Sequence, residues 1–336
     1  MPGALFWPRR CRSEAGSFLL VAGWLVILGS GLVVSLSQQE RGAAGLMQLR
    51  IAQARARTLA RAGWHAALEC LARDRLDEPY DWLSDDWSAP SDQCAPQAGR
   101  RWMVRWPQAG APLPGLQGSL AIDIADEERR LDVNAASHEA LAALLGDAVA
   151  ADRLEAYRTR HGVTPISRLE ELWSLSPLRE RQDLRERLAA HATTVTGGSV
   201  NVNTADAETL MALGAPRVLA ETVVQRRSGP DGRWGTPDDC VATSPADSAR
   251  QLAACAGVEE TALASLLASA PFGVRSAVFR VCIVAVADGA TARMTGTVRR
   301  DAPAGIGVVE VGGRRFRALA WQEGAGATCD PPGATH

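Results

Sequence analysis

The sequence contains no lysine: all 36 of its basic residues are arginine. That excludes Schiff-base chemistry on a lysine amine and the phosphate-gripping lysine of a P-loop. There is no Cys-x-x-Cys pair and no Cys/His cluster at zinc spacing, so thiolate metal chemistry has no framework. The five histidines, His65, His138, His161, His191 and His336, form no His-Glu-x-x-His pair, and no Gly-x-Ser-x-Gly elbow occurs. The chain is therefore read as carrying no catalytic residues, with His138 and His161 on helix surfaces. Neither sign of charge dominates, since the formal net charge is −2. A nucleic-acid binder normally turns an excess of cations toward phosphates, so no nucleic-acid partner is expected.

What the sequence does have is a long run without charge. Residues 15–39 carry no ionisable side chain, and residues 18–36 are mostly apolar. As a helix rising about 1.5 Å per residue, that length can cross a bilayer core. Arg9, Arg10 and Arg12 lie just before it, which by the positive-inside rule predicts a cytoplasmic N-terminus and everything after the run outside. Cysteine usage agrees with an oxidising compartment. Cys11 precedes the run, and an even set follows: Cys70, Cys94, Cys240, Cys255, Cys282 and Cys329. Cys70–Cys94 and Cys240–Cys255 would each close a short polar loop, which leaves Cys282 and Cys329. Six cysteines allow about 15 connectivities, and the spacing alone does not choose among them.

Beyond the run, Leu46, Leu49, Ala52, Ala56, Leu59, Gly63, Ala67 and Cys70 recur at three- and four-residue steps, with Arg50, Arg57 and Arg61 on another side. This predicts a continuing helix whose later half packs on its own domain. Residues 74–97 are acidic and loop-like. There, Trp82 and Trp87 among Asp81, Asp85 and Asp86 read as rings closing over a small core rather than a sugar-binding surface. Strands are predicted over 101–106 and 116–124, and again over 277–287, 292–299, 306–311 and 315–321, with an Asp288-Gly289 hairpin turn. Between the two groups of strands the composition is helical, and it contains a repeat. Leu131-Asp132-Val133-Asn134-Ala135-Ala136 returns 69 residues later as Val200-Asn201-Val202-Asn203-Thr204-Ala205, each copy followed by an acid (Glu139, Glu208) and a leucine pair. Side chains of these types cap helix starts. Ser167-Arg168-Leu169-Glu170 reads as a capping box opening a further helix through Leu175. Strands, helices, then strands again predict an α+β chain with an all-α insert.

One loop stands out as a ligand site. Asp231, Asp238 and Asp239 lie on a Gly-rich stretch, and several carboxylates on such a loop can wrap a hard cation. The spacing is not that of an EF-hand. The alternative is a solvated turn closed by Cys240–Cys255.

Two resemblances sharpen this reading. Gly16-Ser17-Phe18-Leu19-Leu20 after a short basic leader resembles a prepilin signal, which implies cleavage by a prepilin peptidase between Gly16 and Ser17 and methylation of Ser17. Most pilin-like proteins carry Glu at the fifth mature position; here it is Val21. Together with the doubled Asn motif and the final strands, the order of parts resembles the type II secretion protein K family, minor pseudopilins. The resemblance implies a pilin-like long N-terminal helix on a small antiparallel sheet, with an inserted domain like a sterile alpha motif or helix-hairpin-helix. The implied layout is leader 1–16, membrane and fibre-packing helix 17–39, first part of the pseudopilin domain 40–129, insert 130–271, returning strands 272–325 and tail 326–336. It further implies a single-pass inner-membrane protein with its bulk in the periplasm and a place at the pseudopilus tip. Its partners would be the I and J minor pseudopilins and the inner-membrane assembly platform, and the family's calcium-binding members favour calcium at Asp231, Asp238 and Asp239. The rival resemblance is to helix-hairpin-helix DNA receptors. In those, Gly-apolar-Gly hairpins hold phosphate on backbone amides, whereas this chain has Gly146-Asp147-Ala148 and Gly214-Ala215-Pro216. An acid in one copy and a proline lacking N–H in the other argue against that use.

Overall fold

The structure is a computed structural model that describes residues 15–74, 79–85, 87–88, 96–97, 101–106, 118–162, 164–232 and 236–324. The chain divides into two compact units, residues 1–54 and 55–336. The first consists, in its described part, of the leading portion of helix α1 (Ala15–Arg73), a 59-residue helix with no proline. From Phe18 to Ile51 its large apolar side chains are exposed, and Phe18 is 75% so. Its most apolar 18-residue window has a mean hydropathy of 2.3 and none of it is buried. Among the described residues this is the one helix long and apolar enough to cross a membrane. Gly16 and Ser17 fall in its first turns.

The second unit starts with the remainder of α1, followed by β1 (Pro96–Gln97), β2 (Arg101–Trp106) and β3 (Gly118–Asp126). The chain then leaves for two helical modules. The first runs through β4 (Leu131–Asp132), α2 (His138–Leu145), α3 (Ala148–His161), a 3-10 helix over Leu169–Ser174, α4 (Gln182–His191) and β5 (Ala192–Thr193). The second comprises β6 (Val200–Asn201), α5 (Ala207–Ala212), α6 (Arg217–Arg226), α7 (Ser248–Ala256), α8 (Glu260–Ser269) and β7 (Phe272–Gly273). Strands β8 (Val278–Ala287), β9 (Ala290–Arg300), β10 (Val308–Val311) and β11 (Arg314–Glu323) return to the sheet. The sheet order is β1-β2-β3-β8-β9-β11-β10, with every neighbouring pair antiparallel. The long helix, the antiparallel sheet and the inserted helices are the α+β arrangement expected from the sequence. Asp288 and Gly289, both at positive φ (48° and 79°), make the tight turn between β8 and β9.

Helix α1 reaches the sheet because small residues let it. Ala56, Leu59, Ala60, Gly63, Ala67 and Leu71 are buried on one side of the helix. A Cβ on Gly63 would lie 2.7 Å from a Leu120 methyl and 3.2 Å from Ile283. The approach is reciprocated at Gly296 of β9, where a Cβ would meet the Trp64 ring at 2.8 Å. Trp64 in turn meets Trp321 of β11 edge-on, with ring centroids 4.5 Å apart.

The two modules use one plan. Each opens and closes with a two-residue parallel bridge, β4 with β5 and β6 with β7, and each has its own apolar core. The chain has three asparagines, and all three stand in the repeated motif. Asn134 holds Ile166 through both N–H and C=O, at 2.8 and 3.0 Å. Its counterpart Asn203 holds Ala242 in the same way, at 2.8 and 2.9 Å. The residue two places earlier turns the backbone: Asp132 and Asn201 each accept from the amide of that asparagine at 2.9 Å. The first helix of each module is capped by a side chain at equivalent positions, Ser137 and Asp206. One expectation is corrected. The capping box at 167–170 is shifted by one, because Glu171, not Glu170, accepts from the Arg168 amide and the Ser167 hydroxyl. The element it opens is a six-residue 3-10 helix; Leu175 is already extended, two residues before Pro177.

Gly63→Leu is expected to force α1 off the sheet, costing about 1–3 kcal/mol as overpacked cores do. Thermal denaturation of the full chain in detergent measures this; an unchanged midpoint would mean the close approach is not required.

Candidate functional site

Three places carry more than packing: the exposed part of α1, the acidic loop at 229–240, and a buried polar joint. In the loop, Gly229 (φ 64°) leaves room for Asp238, since a Cβ there would lie 2.6 Å from the Asp238 carboxylate and 2.7 Å from its carbonyl oxygen. Asp238 accepts from the Thr236 hydroxyl at 2.6 Å and from the Asp231 amide at 3.4 Å. The Thr236 bond holds the Asp238 carboxyl below its usual pKa. Asp239 accepts from the Thr236 amide at 3.2 Å. Asp238 and Asp239 therefore share Thr236, whereas Asp231 meets Asp238 through its backbone. Residues 233–235 lie outside the described residues. The donors are oxygens only, the chemistry a hard divalent cation requires, and the bare Gly229 lets Asp238 fold in over the loop backbone. Cys240, whose amide donates to Arg227 O, is disulfide-bonded to Cys255 with Cα atoms 5.7 Å apart, which ties the loop to α7. Closing a loop of this length contributes about 3 kcal/mol in the chain-entropy account. Cys282 is also disulfide-bonded. Cys94 and Cys329 lie outside the described residues, and Cys70 is buried in α1.

The acidic side chains that converge most closely among the described residues are others: Asp74, Asp81 and Asp85, whose oxygens lie within 4.8 Å of one another. The cation among them is Arg300, at the end of β9. Its guanidinium pairs with Asp74 and Asp81, donates to Ser276 O at 2.8 Å, and lies 4.9 Å from the Phe279 ring centroid. Asp81 also accepts from the Ser276 amide at 2.7 Å, and its carbonyl accepts from Asn201 and Asn203 at 3.1 and 3.3 Å. Beside it, Asp126 at the end of β3 accepts from the Thr204 and Ser276 hydroxyls at 2.5 and 2.6 Å. Trp87 is buried, edge-on to Phe279, with its indole donating to Asp85 at 3.2 Å. The reading of Trp87 as core therefore stands.

One guanidinium cannot balance this many desolvated carboxylates, and their proton affinities rise. Burial pushes Asp74 up to about 7 against the pull of Arg300. Burial, then the charge of Asp74, pushes Asp85 up to about 8. Asp126 is raised to about 6 by burial, and Glu128 to about 8 by burial and Asp126. Sequence reasoning did not find this joint, yet a signal was present. Strand alternation puts Arg300 on the face of Met294, Gly296 and Val298, and Asp126 on that of Ile122 and Ile124; a charge on a core face needs a partner.

The remaining candidates are peripheral. His138 pairs with Asp152 at 2.8 Å on the surface. His191 pairs with Asp206 at 2.8 Å across the two modules. In the hairpins weighed for phosphate, Asp147 caps α3 and pairs with Arg181 at 2.9 Å, and Pro216 precedes α6.

No family model matches the sequence, and no curated protein does. Among solved structures, the chain is similar to one chain of the crystal structure of the GspK-GspI-GspJ complex from the enterotoxigenic Escherichia coli type 2 secretion system. The two are 18% identical with a TM-score of 0.50, and the match covers 86% of this chain and 99% of that one. At that identity the likeness establishes the fold: a pilin-like α+β chain with a long N-terminal helix and a helical insert.

For the joint, the folded state binds more protons than the unfolded chain between about pH 4 and 8, because Asp74, Asp85 and Glu128 have raised pKa values. Stability must therefore fall as pH rises through that window. The denaturant midpoint is expected to be higher at pH 5.5 than at pH 8, and Asp85→Asn should flatten the slope. A midpoint that climbs with pH would contradict it.

Proposed function

We propose that the protein is a K-type minor pseudopilin of a type II secretion system: held in the inner membrane by α1, with its bulk in the periplasm, and serving an assembly rather than a reaction. The observation that carries this reading is the pairing of an exposed, apolar leading helix with a pilin-like fold bearing a helical insert. In water those side chains would be a liability; in a bilayer, or among like helices in a fibre, they are the contact surface. Cleavage after Gly16 would leave Ser17 as the methylated first residue and Val21 at the fifth position. A membrane-embedded Glu costs free energy unless it meets a partner. A subunit with nothing above it has no neighbouring amine for that Glu to neutralise. The insert points the same way, since modules of this size would clash with lateral neighbours in a regular fibre. Such a subunit belongs at the tip, where with the I and J minor pseudopilins it would start assembly on the inner-membrane platform.

The mature N-terminus tests the reading. Mass spectrometry should find N-methyl-Ser17 in protein from cells with prepilin peptidase and the intact leader in cells without it. A mature start beyond the apolar run would refute it, as would this subunit found along the length of a solved filament.

Within the same reading, calcium is proposed at Asp231, Asp238 and Asp239, where it would crosslink the loop rather than take part in chemistry. Calcium is expected to raise the thermal midpoint of the full chain, and Asp238→Asn with Asp239→Asn should abolish the rise while leaving the metal-free midpoint near that of wild type. The same rise in the double variant would place the ion elsewhere.

A further inference from the structure

The outer edge of β11 is open where an edge strand is normally guarded. Strand β10 covers only its first four residues, Arg314 to Arg317. Beyond them β11 pairs on one side with β9 and, among the described residues, with nothing on the other. The uncovered stretch begins Ala318-Leu319-Ala320-Trp321-Gln322, five successive exposed residues, four of them apolar, with no charge and no proline. Natural sheets blunt free edges with lysine, proline, inward charges or a covering segment, because unpaired N–H and C=O groups template pairing with another chain. A bulge can also turn an edge away, and the one such device here, a shift in register between Ala318 and Ala320, lies at the start of the stretch and leaves Trp321 to Glu323 in regular register with β9. The apolar surface continues onto the adjoining hairpin, where Val309 is exposed and Ile306 is 96% exposed.

The surrounding charge narrows the occupant. Arg315 and Arg317, with Arg299 and Asp301 beside them, flank one end of the open stretch, and Arg57, Arg61 and Arg293 the other; the further acids are Glu310 and Glu323, and Asp301 is already paired with Arg275 and Arg314. Glu323 is already shared between Arg57 and Arg61. Cations outnumber anions around the stretch in a chain whose net charge is −2. A second copy of this chain would bring the same arginines and be repelled.

We propose that the open edge of β11 is a docking edge for an extended, acid-flanked strand of a partner minor pseudopilin, which pairs with residues 318–323 and completes the sheet. Main-chain hydrogen bonds would supply affinity, Leu319 and Trp321 the apolar contact, and the arginines the choice of partner. This rests on the K-type reading for the partner's identity, while the edge and its charge stand on the geometry alone.

The test uses the full chain in nanodiscs with the I and J minor pseudopilins of the same system. A photo-crosslinking residue at Leu319 is expected to capture I or J, and one at Val218, on the helical insert and more exposed than Leu319, is not. Leu319→Asp and Arg315→Glu, both at exposed positions, should each weaken the complex at least tenfold. Binding by wild type with unchanged affinity in both variants, or capture from Val218 but not Leu319, overturns the docking edge and leaves the K-type reading intact. Capture only of a second copy overturns it as well. No complex of wild type with either partner sinks both.

Discussion

The buried guanidinium of Arg300 is the constraint on which the arrangement of the second unit depends. It joins pieces far apart in the chain: Asp74 at the end of α1, Asp81 in the segment that follows, and the Ser276 carbonyl where the chain returns to the sheet. Arg314 of β11 adds a bond to the Asp74 carbonyl at 3.1 Å. A charge taken out of water costs several kcal/mol unless its partners are well placed, so such a site is intolerant of displacement. Its value is positional. It fixes where the helix stops relative to the sheet and which way the following segment leaves.

The helical insert is coupled to the same point by its second copy of the repeated motif, not its first. Asp132 and Asn134 bind within their own module, to the backbone of Gly197, Ile166 and Thr194. Asn201 and Asn203 keep the equivalent local bonds and also reach the carbonyl of Asp81. One local design thus does two jobs, closing a module in both copies and docking that module on the sheet in one. Thr204, which replaces the alanine of the first copy, supplies the hydroxyl that meets Asp126.

Much of this was legible in the sequence because its causes are local. Strand character over 277–287, 292–299, 306–311 and 315–321 marked the returning strands, Asp288-Gly289 the turn between two of them, and the small residues from Ala56 to Ala67 the face of α1 that meets the sheet. The doubled motif marked two modules with equivalent caps. What escaped were contacts between residues more than 200 positions apart, such as Arg300 with Asp74, since periodicity carries no information about which distant segments meet. The 74–97 stretch reads as an acidic loop whose tryptophans close over a core; composition did not show that Asp74, Asp81 and Asp85 are buried there as well, each with a partner. The acidic loop at 231–239 was visible by composition, while the support of Gly229 beneath Asp238 appears only in three dimensions.

The two modules lie between β3 and β8, which are hydrogen-bonded neighbours, with Asp126 opposite Phe279. Topologically they form the loop of a single hairpin, some 150 residues long where a few would do. Closing a flexible chain of that length would cost about 3 kcal/mol more than closing a five-residue turn. Each module, however, has its own core and a parallel bridge that brings its ends together, so once folded it presents β3 and β8 side by side. Helices that contribute no strand to the sheet thus bring its two central strands into reach of one another, and most of the closure cost of that pairing is met inside the insert.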